Sequence, residues 1–133
     1  MDDFMKYLDE ILRDGVSDAK NALLNERERI WSSCALEYAE LARQIGDKDE
    51  LVKAFSLIIN ELLLVQMHTL LLAMDGGEWI SEKYRMDIVD KESATVINEN
   101  VALHEEFMGY LWEERDGDPY RNLSGNKERT FSC

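Results

Sequence analysis

The chain has 133 residues, of which 45% are hydrophobic, with a net charge of −13 and a pI near 4.5. This length is typical of one domain, and the hydrophobic content is too high for a disordered chain. The acidic excess argues against nonspecific binding to nucleic acid or to anionic membrane surfaces, because both depend on Lys and Arg.

Two helices are predicted in the first 45 residues. Residues 3–13 place apolar side chains at helical spacing, and Asp14-Gly15 follows as a predicted helix stop. The second helix is predicted from about Asp18 to Ile45, with Cys34 on its apolar stripe, and Gly46 ends it.

The third predicted helix, Leu51 to Met74, is apolar on nearly every side. Asp47 to Glu50 precede it with the spacing of a capping box, and Asp75-Gly76-Gly77 close it. A helix that is apolar all round is expected at the centre of a bundle, wrapped by the other helices. Its stretch from Leu62 to Met74 is about 13 residues against the ~20 of a membrane span, so no membrane association is predicted.

The pattern changes after Gly77. Trp79 to Tyr84 predict a single helical turn, and the β-branched runs 85–89 and 94–97 predict a short hairpin with residues 90–93 as its loop. An irregular excursion is the alternative for this segment. A fourth helix is predicted from Val101 to Glu114.

The predicted fold is therefore mainly α: a small bundle of about four helices around one central apolar helix, with a short β-hairpin between helices 3 and 4. Residues 1–118 are predicted to form one domain and residues 119–133 a flexible C-terminal tail, which is polar and aperiodic.

The cysteines and the N-terminus predict the compartment. Cys34 and Cys133 form no CxxC motif, which favours free thiols in a reducing environment. The acidic start Met1-Asp2-Asp3-Phe4 lacks the basic and apolar regions of a secretory signal. A cytoplasmic location is predicted.

The two histidines lack the spacing of a metal site. Neither His68 nor His104 follows a Glu by three residues, and no His-Glu-x-x-His is present, so no metal or cofactor is predicted. Glu61 and His68 stand seven apart on one helical stripe, about 10.5 Å apart along the axis. A polar pair that fixes helix register is the first interpretation, and a functional pocket or the centre of a small enzyme is the alternative.

An acidic cluster in the last third of the chain is the main functional candidate. Arg115 is the only Lys or Arg within it, and its acidic members are Glu99, Glu105, Glu106, Glu113, Glu114, Asp116 and Asp118. Asp87 and Asp90 of the predicted hairpin extend it, and Trp112 adds an aromatic side chain of the type enriched at interface anchors. An ordinary solvated helix face is the alternative.

These features predict a noncatalytic module that binds and neutralises a basic protein partner. Bacterial immunity proteins and antitoxins, which neutralise nuclease toxins, share this small, acidic, cofactor-free profile; the analogy is physical and depends on no motif. The expected partner-binding residues are Glu105, Glu106, Glu113, Glu114, Trp112, Asp87 and Asp90. Two alternatives stay open: a structural or regulatory protein that self-associates as a homodimer, and a small enzyme or metal-binding protein that uses Glu61 and His68.

Overall fold

The computed structural model describes residues 1–31 and 33–123, with only the backbone of Ile30 and Trp31. In this part of the chain the helices are α1 (Asp2–Leu24), α2 (Ala35–Ile45), α3 (Asp49–Met74) and α4 (Leu103–Glu114). Strands β1 (Val89–Asp90) and β2 (Thr95–Val96) form an antiparallel hairpin, and Glu26–Trp31 and Trp79–Glu82 form 3-10 turns. The predicted mainly α bundle with a hairpin between helices 3 and 4 is confirmed.

Helix α1 continues through Gly15, so the predicted stop at this residue is wrong. A Cβ atom at Gly15 would lie 2.8 Å from Cδ1 of Leu63 in α3. The glycine therefore leaves room for the end of the Leu63 side chain within a continuous helix. This contact lies between two helices, and the local sequence does not reveal it.

The second helix, predicted from Asp18 to Ile45, is not continuous: its residues are divided between the end of α1, the first 3-10 turn and α2. Asn25 ends α1 in an extended conformation, with φ −123° and ψ 108°. Arg29, from the first 3-10 turn, donates hydrogen bonds of 2.7 Å and 2.8 Å to the carbonyls of Ala22 and Leu23. These bonds satisfy carbonyl groups at the end of α1 that have no partner within the helix.

The boundaries between α1 and α3 differ in two further ways from the prediction. Cys34 precedes α2 and is exposed, so its expected burial on a helix stripe is wrong. Gly46 ends α2 with φ 57°, as predicted. Helix α3 starts after Lys48 without a side-chain hydrogen bond to its first turn, so the expected capping box is absent.

The hydrophobic core lies where α1, α3 and α4 meet. Its buried members are Met5, Leu8, Leu12, Leu64, Leu71, Leu103, Phe107 and Leu111. Helix α2 packs against α1 and the first 3-10 turn instead of against the length of α3. The core is therefore built from three helices, with α2 added at the side.

Helix α3 is not wrapped on all sides, and this part of the prediction is wrong. Leu51, Ile58, Leu62, Val65 and Leu70 are 42% to 58% exposed, whereas Leu64 and Leu71 are buried. The physical reason is the arrangement of the neighbours. Helices α1 and α4 cover one face of α3, and the short α2 leaves the other face open.

Among the described residues, the segment Asp49–Glu82, which contains α3, is the one helical segment long and apolar enough to cross a membrane, judged by length and composition alone. Its most apolar window has a mean hydropathy of 1.7, and 17% of that window is buried. The prediction counted only about 13 residues, from Leu62 to Met74, which are part of this helix. Length therefore does not argue against a membrane span.

The start of the predicted tail packs on the helices. Pro119 is buried, and Asn60 Nδ2 donates to the carbonyl of Tyr120 at 2.9 Å. Arg13 Nη1 donates to the carbonyl of Leu123 at 3.4 Å. The packed chain thus extends beyond the predicted boundary at residue 118, and the rest of the predicted tail, with Cys133, lies outside the described residues.

Candidate functional site

The outer side of α4 carries an acidic face, which we define as Glu105, Glu106, Gly109, Trp112 and Glu113. All five residues are exposed, and Trp112 is exposed to 60%. Their spacing of three and four residues places them on one side of the helix. Glu114 follows one residue further round and is half-buried, so the structure separates it from the rest of the predicted set.

Gly109 is in the middle of the acidic face and in the interior of the helix. A Cβ atom at this position would meet no atom of the described residues within 4 Å. An exposed glycine inside a helix destabilises it by about 1 kcal/mol relative to alanine. No contact within the described residues accounts for this cost. The glycine leaves backbone uncovered beside three carboxylates and an indole ring, where another chain can approach closely.

Arg115, the only Lys or Arg in the acidic stretch, is turned into the protein and is 1% exposed. Its Nη2 lies 2.9 Å from Oδ1 of Asp9, and its Nη1 donates to Oδ1 of Asn60 at 2.9 Å and to the carbonyl of Pro119 at 2.7 Å. This network joins α1, α3 and the end of α4. The charge of Arg115 is therefore used inside the fold, and α4 supplies no Lys or Arg to the acidic face.

The surroundings of Arg115 have opposing effects on the pKa of its guanidinium. Burial lowers the pKa of the guanidinium, the hydrogen bond and charge of Asp9 partly offset this effect, and the nearby charge of Arg13 adds to the lowering. A guanidinium stays protonated in such a setting. Its buried Nε has no hydrogen-bond partner among the described residues. These contacts assign Arg115 a structural role.

The two hairpin acids are exposed but differ in their surroundings. Asp90 accepts hydrogen bonds from the Ser93 hydroxyl at 2.8 Å and from the Glu92 amide at 3.0 Å, and these bonds lower its pKa. Asp90 therefore shapes the hairpin loop. Asp87 lines a cavity that His104, in the first turn of α4, also lines. Asp87 thus borders the same cavity as His104, the residue that precedes the acidic face.

A polar cluster of Asp75, His104 and His68 lies where α3 ends and α4 begins. Oδ1 of Asp75 accepts a hydrogen bond from the Leu103 amide at 2.9 Å, and Oδ2 accepts one from the His104 amide at 2.8 Å. The same Oδ2 lies 2.5 Å from Nδ1 of His104. Asp75 thus caps α4 from a distant point in the sequence, where Ala102 offers no side-chain oxygen.

The hydrogen bonds to Asp75 favour its charged form. Burial alone would raise the pKa of the Asp75 carboxyl, but bonds from the amide and ring of His104 and from the Leu103 amide lower it, as does the charge of His104. The result is a pKa below the ordinary value of 3.8. On its other side, Nε2 of His104 lies 4.0 Å from Oε1 of Glu105, which links the cluster to the acidic face.

His68 contacts His104 and not Glu61. The two imidazole rings meet edge to face, with centroids 5.4 Å apart and planes at 89°. Glu61 is exposed on α3. The expectation of Glu61 and His68 as a polar pair in the core is therefore wrong, and the structure does not assemble the alternative dyad from them.

Two cavities border these features. One of about 610 Å³ lies beside Asp75 and His104, with Tyr84 and Asn98 in its wall. A larger one of about 1140 Å³ lies between α1, the start of α3 and the segment after α4. Its exposed charged residues are balanced in sign, three basic and three acidic: Lys20, Lys53, Arg121, Asp47, Asp49 and Asp118. It does not extend the acidic face.

In the part of the chain that the structure describes, no group of three or more His, Cys, Asp or Glu side chains is arranged to hold a metal ion. No protein-family model, curated protein or solved structure matches this chain. The site is therefore interpreted from its own geometry.

Sequence reasoning missed Asp9, Asn60 and Asp75 as partners of other elements. Asn60 gave a usable signal, because a buried amide within an apolar run needs a hydrogen-bond partner elsewhere. Asp75 follows α3 directly, and its position suggested only a helix stop. Its role as a cap depends on the fold bringing residues 103 and 104 to it, which no local pattern shows.

Proposed function

We propose that this protein is a noncatalytic module that binds and neutralises a basic protein partner, as an immunity protein or antitoxin of a toxin system does. The observation that carries the proposal is the acidic face of α4. Glu105, Glu106 and Glu113 are exposed around Trp112, while Arg115, the only Lys or Arg of the same stretch, is buried in an ion pair with Asp9.

A basic partner fits this face for electrostatic reasons. Opposite potentials on two surfaces speed their encounter and disfavour partners of like charge. A nuclease site is built to bind phosphate and is therefore rich in cations, so a rigid row of carboxylates can occupy or shield it. The net charge of −13 disfavours nucleic acid and anionic lipid as alternative ligands. In this proposal the protein acts in the cytoplasm, without a cofactor.

Gly109 supports the same function independently of charge. A residue that lowers helix stability without a packing reason is consistent with a surface that a partner contacts closely. Trp112, 60% exposed and one helical turn away, supplies the large side chain that a binding pocket on the partner would accept.

Charge reversal tests the acidic face. The partner is first captured from native lysate with the full chain and identified, and its association is then measured by stopped flow at increasing salt. The variant Glu105→Lys/Glu106→Lys/Glu113→Lys is expected to associate at least about tenfold more slowly and to lose most of the salt dependence, because exposed charges chiefly set the association rate.

A matched variant distinguishes the effect of where the charges lie from the effect of the net charge. Glu26→Lys/Glu28→Lys/Glu37→Lys reverses three exposed carboxylates outside α4 and changes the net charge equally. It is expected to associate nearly as fast as the wild type. Equal slowing by both triple variants, or a captured partner with an acidic surface, would contradict the proposal.

The variant Gly109→Ala is expected to change fold stability and partner binding in opposite directions. It is expected to stabilise the fold by up to about 1 kcal/mol, since the new methyl group meets no neighbour in the described part of the chain and favours the helix. At the same time it is expected to weaken partner binding, because the methyl group occupies the uncovered backbone of the acidic face. Tighter or unchanged binding would show that the partner does not contact Gly109.

A further inference from the structure

The exposed face of α3 has a regular spacing of its own. Its members alternate at intervals of four and three residues along more than four helical turns, and we call them the α3 seam: Leu51, Phe55, Ile58, Leu62, Val65 and Thr69. Thr69 donates its hydroxyl to the carbonyl of Val65 at 2.9 Å, so its polar group is satisfied within the helix. The α3 seam is therefore apolar in effect along its whole length.

This alternating spacing is the one found along the seam of a coiled coil. Apolar residues that repeat every 3.5 residues on average keep one stripe facing a partner helix, into which side chains interdigitate. Apolar residues that pack in the core of their own bundle are buried, so an exposed apolar stripe is not explained by that core. Here Ile58 and Leu62 are 58% and 56% exposed, although the core of the same domain is complete on the other face of α3.

We propose that the α3 seam is the interface of a homodimer, in which α3 of one copy packs against α3 of a second copy. A seam of this kind matches another with the same spacing, and two-fold pairing of one surface with itself is the commonest form of protein self-association. The proposal goes beyond the acidic face: α4 packs on the buried side of α3, so the dimer would leave both acidic faces free.

The α3 seam alone is too small for a dimer interface, so its flanks must also take part. A strip about 27 Å long and 11 Å wide covers only ~600 Å² over two helices, below the ~1,200 Å² at which specific interfaces begin. Two aromatic residues widen the strip. The ring of Tyr38 in α2 contacts Phe55 edge to face with centroids 6.3 Å apart, and Tyr120 borders the groove along Ala54 and Ile58.

The charges along α3 also fit this interface. Between Lys53 and Asp75 the only charged side chain is Glu61, which lies beside the α3 seam and shares a groove with Arg121. Depletion of charge is a property of interface cores. Since each copy has a net charge of −13, added salt should strengthen the dimer by screening the repulsion, whereas it should weaken binding of a basic partner.

A lipid bilayer is the rival occupant of the exposed apolar face. The buried face of α3 opposes this choice, since Asn60 is hydrogen-bonded to Arg115, which is paired with Asp9. Insertion of α3 would carry this ion pair toward the hydrocarbon or break it, and both are costly. No Lys or Arg flanks the C-terminal end of α3 before Lys83 to anchor it.

The test is the mass of the full chain in solution, measured by sedimentation equilibrium over a range of concentrations with a reducing agent present. The expected mass is twice 15.5 kDa, with dissociation that decreases as salt rises. The variant Ile58→Lys/Leu62→Lys is expected to raise the dimer dissociation constant by ~30-fold or more. It lowers the net negative charge of each copy, so a loss of the dimer would not come from a larger net repulsion between the copies.

The matched control is Leu24→Lys/Leu70→Lys, which makes the same charge change at two leucines of similar exposure outside the α3 seam. It is expected to keep the wild-type dissociation constant. Circular dichroism checks the fold, and Ile58→Ala/Leu62→Ala replaces the lysine variant if that variant unfolds. A wild-type mass of 15.5 kDa at all concentrations, or a dimer unchanged by the seam variants, would overturn the proposal. Flotation of the wild type with phosphatidylcholine vesicles would overturn it in favour of a membrane.

Discussion

At the scale of single residues, Asp75 joins two helices that are distant in the sequence. Its carboxylate accepts hydrogen bonds from the amides of Leu103 and His104 and contacts the His104 ring. It therefore replaces the side-chain cap that Ala102 cannot supply at the N-terminus of α4. A carboxylate is also the favourable charge at the start of a helix. The stability of the junction therefore depends on the ionisation of this one group.

The pH dependence of that contribution follows from the direction of the pKa shift. Because the pKa of Asp75 is lower in the folded than in the unfolded chain, the unfolded chain binds more protons in this range. The contribution is fully present above about pH 3.8 and is lost as the pH falls through the lower, folded value. Asp75→Asn is expected to cost about 1–2 kcal/mol at neutral pH. Urea unfolding should show this difference narrowing below pH 3.8.

The control for this prediction is Asp18→Asn, which changes an exposed aspartate in α1. Its unfolding midpoint should remain close to that of the wild type at every pH. A constant difference between Asp75→Asn and the wild type down to pH 2 would show that the charge of Asp75 contributes nothing to the cap.

Two glycines show what a sequence can reveal at this scale. Gly46 and Gly15 both suggested helix stops. Gly46 ends a helix because its φ of 57° is a backbone conformation that side chains oppose, and this is a local property. Gly15 is explained by Leu63, which lies in a different helix. Local conformation was predictable, whereas the reason that depends on a distant neighbour was not.

At the scale of elements, α3 has two different faces. Leu71 is buried and its neighbour Leu70 is 58% exposed, outside the α3 seam. The composition of α3 correctly predicted a long helix near the core. It did not predict one-sided burial, because a sequence that is apolar all round contains no information about which side its neighbours cover.

This pair of leucines gives a direct test of the two faces. Leu71→Ala is expected to destabilise the fold by ~2–5 kcal/mol, since it removes buried methyl groups and leaves a cavity. Leu70→Ala should change stability by less than ~0.5 kcal/mol, as is usual for surface positions. Urea unfolding of both variants measures the difference. Similar losses from the two substitutions would contradict the assignment of the faces.

At the scale of the whole molecule, the segment after α4 closes the fold. The carbonyls of Pro119 and Tyr120 accept hydrogen bonds from Arg115 and Asn60, both of which are buried. The polar, aperiodic composition of this region predicted a tail because it has no repeating apolar stripe. Its contribution to the fold comes from backbone carbonyls, which every sequence supplies and no composition identifies.

Two truncations test this closure. A chain ending at Asp118 is expected to lose about 1.5–3 kcal/mol relative to a chain ending at Leu123, the range for hydrogen bonds to a charged group. The longer truncation product keeps every acceptor of Arg115 and Asn60 and serves as the control. Equal urea midpoints for the two chains would show that water replaces these carbonyls without cost.

The contact of Asp75 with residues 103 and 104 also means that the intervening excursion leaves and re-enters the bundle at nearly one point. Among the described residues, β1 and β2 contribute no buried side chain to the core, and the excursion meets it through the partly buried Ile88 next to β1. Closing such a loop costs free energy that grows only slowly with its length. The exposed residues Lys91 to Ala94 at the hairpin tip are therefore a suitable position for a reporter peptide or a fluorophore, attached without disturbing the three-helix core or either proposed contact surface.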